Sequence, residues 1–479
     1  MSRRIRIGPF NRVEGDLEVQ LEVVDGVVKA GWVNSTLFRG FEWLLAGRAV
    51  TDALVYAPRI CGICSVSQSV AAAASLAQAA AITPPPSGQW ATNLMLACEN
   101  AADHLTHFYL FFMPDFVAEA YADYDWYPEV ARRFTPMRGE VLPRVLQARA
   151  QWLHILGLLG GHWPHTLAIQ PGGTTRVLQR SEIARLQVMI GQFEHFLVET
   201  LTGGVPLAAV LAVETEAQLR KVVSGGDLGR FLLLCDALDL WQVGRTPGRL
   251  FSYGNYPDPN GGRVFASGIW REGQVSQLNT QTITEDITHA RYRGEGGAPW
   301  QAQVQPDVHK QQAYTFCKAP RLDGEVFECG ALARQVMAGV PLMQALMRRW
   351  GSVVATRVLG RLWELMRLPG LMRQWTDQLN PDEDWNRPYD SHFSGHGLGL
   401  VEAARGGLLH WIEAEQGLIR HYEIIAPTTW NFSPRDATGT PGPLEQALVG
   451  LQVGEEAGQA PVVHHVVRSF DPCMVCTVH

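Results

Sequence analysis

Leu17, Val19, Leu21 and Val23 are apolar and Glu18, Gln20 and Glu22 between them are polar, the period of a strand with one wet face. Asp25-Gly26 follows as a two-residue turn and Val27 to Val33 returns, so the pattern predicts a β-hairpin. Beyond Phe38-Arg39-Gly40-Phe41-Glu42 the period changes and apolar residues recur at helical spacing. An Ala-rich helix is predicted over Ser67 to Ala81, stopped by Pro84-Pro85-Pro86, followed by helices over Gln89 to Met113 and Val141 to Leu159. After Gly160-Gly161 and Pro171-Gly172-Gly173 the helical spacing resumes over Arg180 to Leu201. It continues, broken at Gly225-Gly226, over Ala217 to Leu240. Thr246 to Pro320 loses that spacing and carries short β-like runs among Gly, Asn and Thr. The helical pattern returns from Ala331 to Leu379. Tyr389 to Gly399 reads as a Gly- and His-rich loop, Leu408 to Trp411 and Ile419 to Ile425 as short strands, and Pro441-Gly442-Pro443 introduces a last short helix.

These elements predict a mainly α chain of the α+β class: a long-helix core, a small N-terminal antiparallel sheet and a β-containing insertion. We expect one multi-lobed domain over residues 1–479. Its approximate lobes are 1–58 (the hairpin and the approach to the first cysteine pair), 59–245 (helical core), 246–320 (β insertion) and 321–479 (helical return and C-terminal segment).

Composition narrows the function classes. At 46% hydrophobic and 18% charged, the 479 residues are ample for a large core and unlike a disordered or collagenous chain. A net charge of -7 without a Lys/Arg block excludes a field that would attract nucleic acid. The opening Met1-Ser2-Arg3-Arg4-Ile5-Arg6 is too polar for a secretory signal and no run of 18 apolar residues exists for a membrane span, so a cytoplasmic protein is expected. Eight cysteines there favour metal or redox roles over disulfides. Cys98, Cys235, Cys317 and Cys329 stand singly and read as buried, inert thiols.

The other four stand in pairs at opposite ends. Arg59-Ile60-Cys61-Gly62-Ile63-Cys64 supplies one Cys-x-x-Cys, and Asp471-Pro472-Cys473-Met474-Val475-Cys476-Thr477-Val478-His479 supplies another with a His three residues beyond. Four thiols suit a tetrathiolate centre if the fold joins the ends. Structural zinc is one reading, but it would staple a chain already large enough to fold by burial. A disulfide-exchange role lacks the βαβ context. Thiolates around a redox metal such as iron or nickel fit better.

With these two motifs the chain resembles the large subunit of nickel-iron hydrogenases, and the resemblance runs its whole length. Asn11-Arg12-Val13-Glu14-Gly15, Phe38-Arg39-Gly40-Phe41-Glu42, Glu402-Ala403-Ala404-Arg405-Gly406 and Ala426-Pro427-Thr428-Thr429-Trp430-Asn431 are similar to family blocks in the family order. The resemblance implies nickel held terminally by Cys61 and Cys473, with Cys64 and Cys476 bridging it to an iron that carries carbon monoxide and cyanide. Dihydrogen is the implied substrate. Arg405 matches an arginine over the open metal position, oriented by Asp103 and Asp471; an ordinary buried ion pair is its other reading. Glu14 matches a proton-relay carboxylate near Cys473, and Thr428 a group that hydrogen-bonds a cyanide. Glu42, His479 and the backbone carbonyl of Ile424 match the ligands of a magnesium ion.

Several positions depart from the family pattern. Gln68 stands where most members have a His, Ala404 where Pro is usual, and Ile63 and Phe111 where smaller Val and Leu are common at the end of the gas channel. Together they resemble the regulatory, hydrogen-sensing branch, which implies slow turnover, oxygen tolerance and signalling to a sensor histidine kinase. Without further clustered cysteines for iron-sulfur centres, the chain requires a small subunit carrying those clusters. An energy-conserving uptake hydrogenase, and a zinc-stapled or quinone-binding relative without the metals, are the alternatives.

Overall fold

The computed structural model describes residues 2–454 and 460–479. It is 43% helical with small antiparallel sheets, the α+β class expected. The hairpin is present as strands Leu17–Val24 and Val27–Ser35, joined through Asp25 and Gly26, whose φ angles of 49° and 76° suit a two-residue hairpin turn. A third strand, Ser2–Ile7, was not predicted. It pairs with Leu17–Val24 as the sheet edge and buries only Ile7, so Arg3, Arg4 and Arg6 hide its alternation while protecting the open edge.

Five long helices form the body: Ser65–Ala79, Pro86–Thr106, Leu142–Gly160, Arg180–Thr200 and Val354–Thr376. Pro86–Thr106 is central and buried nearly all round, packed by Leu142–Gly160 on one side and Val354–Thr376 on another. Its predicted extension to Met113 is a π-helical turn, His107–Phe112, rather than continued α-helix. The predicted Ala331 to Leu379 stretch is three helices, Ala331–Met337, Pro341–Trp350 and Val354–Thr376, divided at Gly339 and Gly351. Residues 246–320 carry short strands, among them Ile283–Asp286, which pairs with Ala319–Leu322.

Two expectations are corrected near the C-terminus. The Gly- and His-rich loop ends at Gly395, where strand Gly395–Ala403 begins. It pairs with Gly406–Glu415, which pairs in turn with Leu418–Ile425, making a second three-stranded sheet. Glycine obscured that strand for a packing reason. A Cβ on Gly397 would lie 1.9 Å from the Ser75 carbonyl oxygen and one on Gly399 2.0 Å from that of Ala71, so the strand lies directly on the backbone of the Ala-rich helix. The helix Pro443–Leu448 is not the last either. Pro461–Ser469 and Met474–Thr477 follow, the former helical despite four β-branched valines because Val463, Val466 and Val467 are buried.

Candidate metal centre

The fold joins the two ends at the cysteines. Cys61 follows a one-turn helix, Ala57–Ile60, and Cys64 directly precedes the Ser65–Ala79 helix. Cys473 and Cys476 belong to the turn that opens and carries Met474–Thr477. All four Sγ atoms lie within 4.8 Å of one another and are buried. The Sγ–Sγ separations are 3.5 Å for Cys61–Cys473, 3.2 Å for Cys64–Cys476 and 3.0 Å for Cys473–Cys476, well beyond a disulfide bond.

Three devices hold this junction. Glu14 and Cys473 form a parallel β-bridge, with Met474 N–H donating to the Glu14 carbonyl at 2.7 Å and Glu14 N–H to that of Pro472 at 3.4 Å. Gly15 permits that approach: its φ is +83°, and a Cβ there would sit 3.0 Å from the Val475 nitrogen. Arg39 then clamps both motifs with one guanidinium, which donates to the carbonyls of Ile60, Arg59 (3.3 Å) and Val475 (3.1 Å). Arg39 lay within a quoted motif, but nothing local in the sequence shows what its side chain reaches. Thr428 takes the third place, its Oγ1 accepting from Cys473 N–H at 3.1 Å.

The donor set fits soft metal ions. Thiol hydrogen bonds from Cys473, Cys476 and Cys64 hold the Cys61 thiol well below its ordinary pKa. Cys64 and Cys476 are pushed well up by their thiol neighbours and by burial, and Cys473 is raised chiefly by burial. Four thiolates therefore do not coexist there without cationic charge, and nickel and iron with sulfur ligands supply it. The isolated thiols Cys98, Cys235, Cys317 and Cys329 are buried singly with raised pKa values, as expected of inert cysteines.

Arg405 lies in the same buried core. It donates to Asp103 Oδ2 at 2.7 Å, to Asp471 Oδ1 at 3.1 Å and to the Asp471 carbonyl at 3.0 Å. Burial opposes its charge, but the two carboxylates outweigh burial and keep it a cation. Arg405 pulls both carboxyls toward the charged form; burial still raises Asp103, whereas Arg405 and His107 overcome the burial of Asp471 and lower it. Glu14 is raised by burial and by Cys61. Ala404 is buried and its carbonyl accepts from Arg334 at 3.0 Å, so its backbone belongs to a buried ion-pair network. Gln68 approaches Cys476 Sγ with its amide nitrogen at 3.9 Å and contacts His410 with its amide oxygen at 2.7 Å. Ile63 is half-buried against the core that contains the cysteines. Phe111 is half-buried on the π-helical turn and its carbonyl accepts from Arg12 at 3.0 Å, while its neighbours Phe108 and Phe112 are fully buried.

A second cluster joins Glu42, His479 and Ile424. His479 Nδ1 donates to the Cys476 carbonyl at 2.7 Å, which turns Nε2 toward Glu42 Oε1 at 3.2 Å. Two lone pairs face each other there unless a cation or proton lies between them. Ile424 N–H donates to the same Glu42 oxygen at 3.0 Å, and in a strand the carbonyl of that residue leaves the same edge. Sequence reading missed three further members: Lys318, hydrogen-bonded to Glu423 and, at 3.2 Å, to Glu285. Burial raises the Glu42 carboxyl, but Lys318 and His479 outweigh this and hold it well below its ordinary range. Glu285 and Glu423 are raised by burial and by repulsion from Glu42, and Glu285 Oε1 is buried without a partner. Three carboxylates around one ammonium leave negative charge uncompensated, a setting that fits a hard divalent cation.

Comparison with known proteins places these features. Residues 39–129 and 143–479 match the family model described as nickel-dependent hydrogenase. The periplasmic [NiFeSe] hydrogenase large subunit of Desulfomicrobium baculatum is 26% identical, the match covering 99% of this chain and 95% of the relative. The hydrogenase-2 large chain of Escherichia coli is 25% identical, with 100% and 97% covered. The quinone-reactive Ni/Fe-hydrogenase large chain of Wolinella succinogenes is 24% identical, with 100% and 96% covered. The solved Ni-Fe-Se hydrogenase from D. vulgaris Hildenborough superimposes with a TM-score of 0.84 at 25% identity, covering 100% of both chains.

Proposed function

The chain belongs to the nickel-dependent hydrogenase family as a large subunit, an oxidoreductase, and on that premise we propose that it is the hydrogen-sensing form, slow in turnover and tolerant of oxygen. The observation that carries the chemistry is the set of four buried thiols within 4.8 Å beside an arginine held cationic by two aspartates. Cys61, Cys64, Cys473 and Cys476 would hold nickel and an iron bearing carbon monoxide and cyanide. Bound there, that centre supplies the electrophile that polarises dihydrogen.

Arg405 acts in this reading as a fixed cation beside the thiols that would hold the metals. A guanidinium whose pKa is raised by Asp103 and Asp471 is a poor proton acceptor. Splitting one dihydrogen releases two protons and two electrons. Glu14 receives protons, because its raised pKa moves a carboxylate toward the pH at which it can both take and release them. Thr428 holds the Cys473 backbone and Gln68 offers an amide N–H toward Cys476. Glu42, His479 and the Ile424 carbonyl would hold a magnesium ion. The remaining cysteines, Cys98, Cys235, Cys317 and Cys329, stand singly, so the electrons would pass to an iron-sulfur small subunit.

The sensing assignment rests on Gln68, Ile63 and Phe111, and signalling to a histidine kinase rests on it. Its competitor is an uptake enzyme, favoured by relatives named periplasmic and quinone-reactive. No helix among the described residues is long and apolar enough to cross a membrane. Cytoplasmic placement belongs to the same reading and is checked by cell fractionation. Purified protein should contain nickel and iron and show infrared bands of bound carbon monoxide and cyanide. Replacing any of the four cysteines by Ala should abolish hydrogen cleavage. Zinc without nickel and iron would overturn the enzyme reading for this protein. Slow dye reduction that survives air supports the sensor, and rapid reduction lost in air supports uptake.

A further inference from the structure

Gln68 is positioned by residues from another element. His410 on strand Gly406–Glu415 and Tyr422 on strand Leu418–Ile425 face the Ser65–Ala79 helix together: Tyr422 pairs with Ile412, two positions from His410, so the two are diagonal neighbours on one sheet face. His410 is completely buried. Its Nδ1 lies 2.7 Å from the Tyr422 hydroxyl and its Nε2 2.7 Å from Gln68 Oε1, while Gln68 Nε2 lies 3.9 Å from Cys476 Sγ. Neither strand carries a cysteine of the centre.

The chemistry of these groups fixes the direction of the chain. The ring is enclosed on every side, and a neutral imidazole carries one N–H and one lone pair. An amide oxygen carries no hydrogen, so Nε2 must be the donor to Gln68 and Nδ1 must accept from the Tyr422 hydroxyl. The Gln68 N–H is then left for the sulfur. The reverse tautomer would turn the Gln68 oxygen onto a thiolate, two acceptors in a buried site.

We propose that His410, oriented by Tyr422, is a positioning residue that locks the Gln68 amide with its N–H toward the Cys476 sulfur and so draws electron density from the metal centre. The inference rests on the hydrogenase reading above. A hydrogen bond to sulfur makes the thiolate a weaker donor. Without it the iron becomes richer in electrons and its carbonyl stretch moves to lower frequency.

The experiment is infrared spectroscopy of purified protein under hydrogen for wild type, Gln68→Leu, His410→Phe, His410→Gln and Tyr422→Phe. Gln68→Leu and His410→Phe should lower the carbonyl frequency by the same amount, and their double variant should shift no further, because both break one chain. His410→Gln keeps an N–H near the Nε2 position and should return the band toward wild type. Tyr422→Phe removes only a hydroxyl and should give a smaller shift of the same sign. Unmoved bands in both His410→Phe and Tyr422→Phe would overturn the inference, as would shifts that add in the double variant. A wild-type spectrum without such bands overturns the hydrogenase reading, and this inference with it.

Discussion

Glu14 joins the site by two routes: its backbone pairs with Cys473 while its carboxyl, raised by burial and by Cys61, is coupled to the charge of the centre. If it carries the released proton, Glu14→Gln keeps shape and removes the acceptor. Hydrogen–deuterium exchange should then fall by about 100-fold with nickel and iron content intact, since a positioned acid–base group contributes roughly 10²–10⁴-fold. Unchanged exchange would move the relay elsewhere. Ile63 and Phe111 carry a different expectation. Ile63→Val with Phe111→Leu removes apolar volume from two half-buried positions, at a cost of about 0.5–1.5 kcal/mol for the first. If bulk there obstructs dioxygen, wild type should keep its hydrogen oxidation through air exposure and the double variant should lose it progressively. Equal survival would place the protection in the metals or the partner's clusters. At this scale the sequence revealed residues embedded in motifs, such as Arg405 and Thr428. It did not reveal His410, Lys318 or the reach of Arg39, whose roles are set by neighbours on other elements of the fold.

The junction between strand Gly395–Ala403 and the Ser65–Ala79 helix governs how closely the second sheet approaches the first cysteine pair. That helix starts immediately after Cys64, and the carboxylate of Glu99 accepts the Val66 and Ser67 N–H groups, both at 2.8 Å, satisfying otherwise unpaired donors at its buried first turn. Its alanines and the strand's glycines are two halves of one close contact. Gly399→Ala would place a Cβ 2.0 Å from a backbone oxygen, an overlap that rotamer change cannot relieve. The strand must lift, at a cost of about 1–3 kcal/mol or more, and His410 and Tyr422 on the neighbouring strands would lose their purchase on Gln68. Gly157 is the control: it is helical and exposed with nothing within 4 Å of a built Cβ, so Gly157→Ala should be neutral or stabilising by up to about 1 kcal/mol. Denaturant midpoints of the two variants check this, and equal midpoints would refute the contact. The helices Ser65–Ala79, Leu142–Gly160 and Arg180–Thr200 were legible to within a few residues because apolar spacing reports burial directly. The strand at Gly395 was not, because residues chosen for close approach have no side chains with which to alternate.

Across the whole molecule, the two ends are tied by contacts on either side of the cysteines. Arg39 N–H and Gly40 N–H donate to the carbonyls of Val478 (3.0 Å) and His479 (3.2 Å), so the last residues are threaded against the segment that opens the first helix. Just beyond lies the cluster of Glu42, Glu285, Glu423, Lys318 and His479, of which Glu42 and Glu423 line a cavity of about 660 Å³ together with Arg293, Arg420 and His421. A cation held by Glu42, His479 and the Ile424 carbonyl would join the N-terminal segment, the second sheet and the C-terminus at once, an arrangement that no single stretch of sequence could display. It therefore stabilises the folded chain by mass action, because the unfolded chain has no such site. Removing magnesium with a chelator should lower the thermal midpoint, and adding it back should restore it. Glu42→Gln keeps the shape of the side chain but removes its charge. The variant should lose about 1.5–3 kcal/mol, the worth of a hydrogen bond to a charged group, and show no response to added magnesium. In a chain this long that energy is only a few degrees, so the dependence on magnesium concentration, read by calorimetry, is the sharper observable. A wild-type midpoint indifferent to both chelator and magnesium would show that Lys318 alone balances the carboxylates. A Glu42→Gln variant that still responds would place the ion elsewhere.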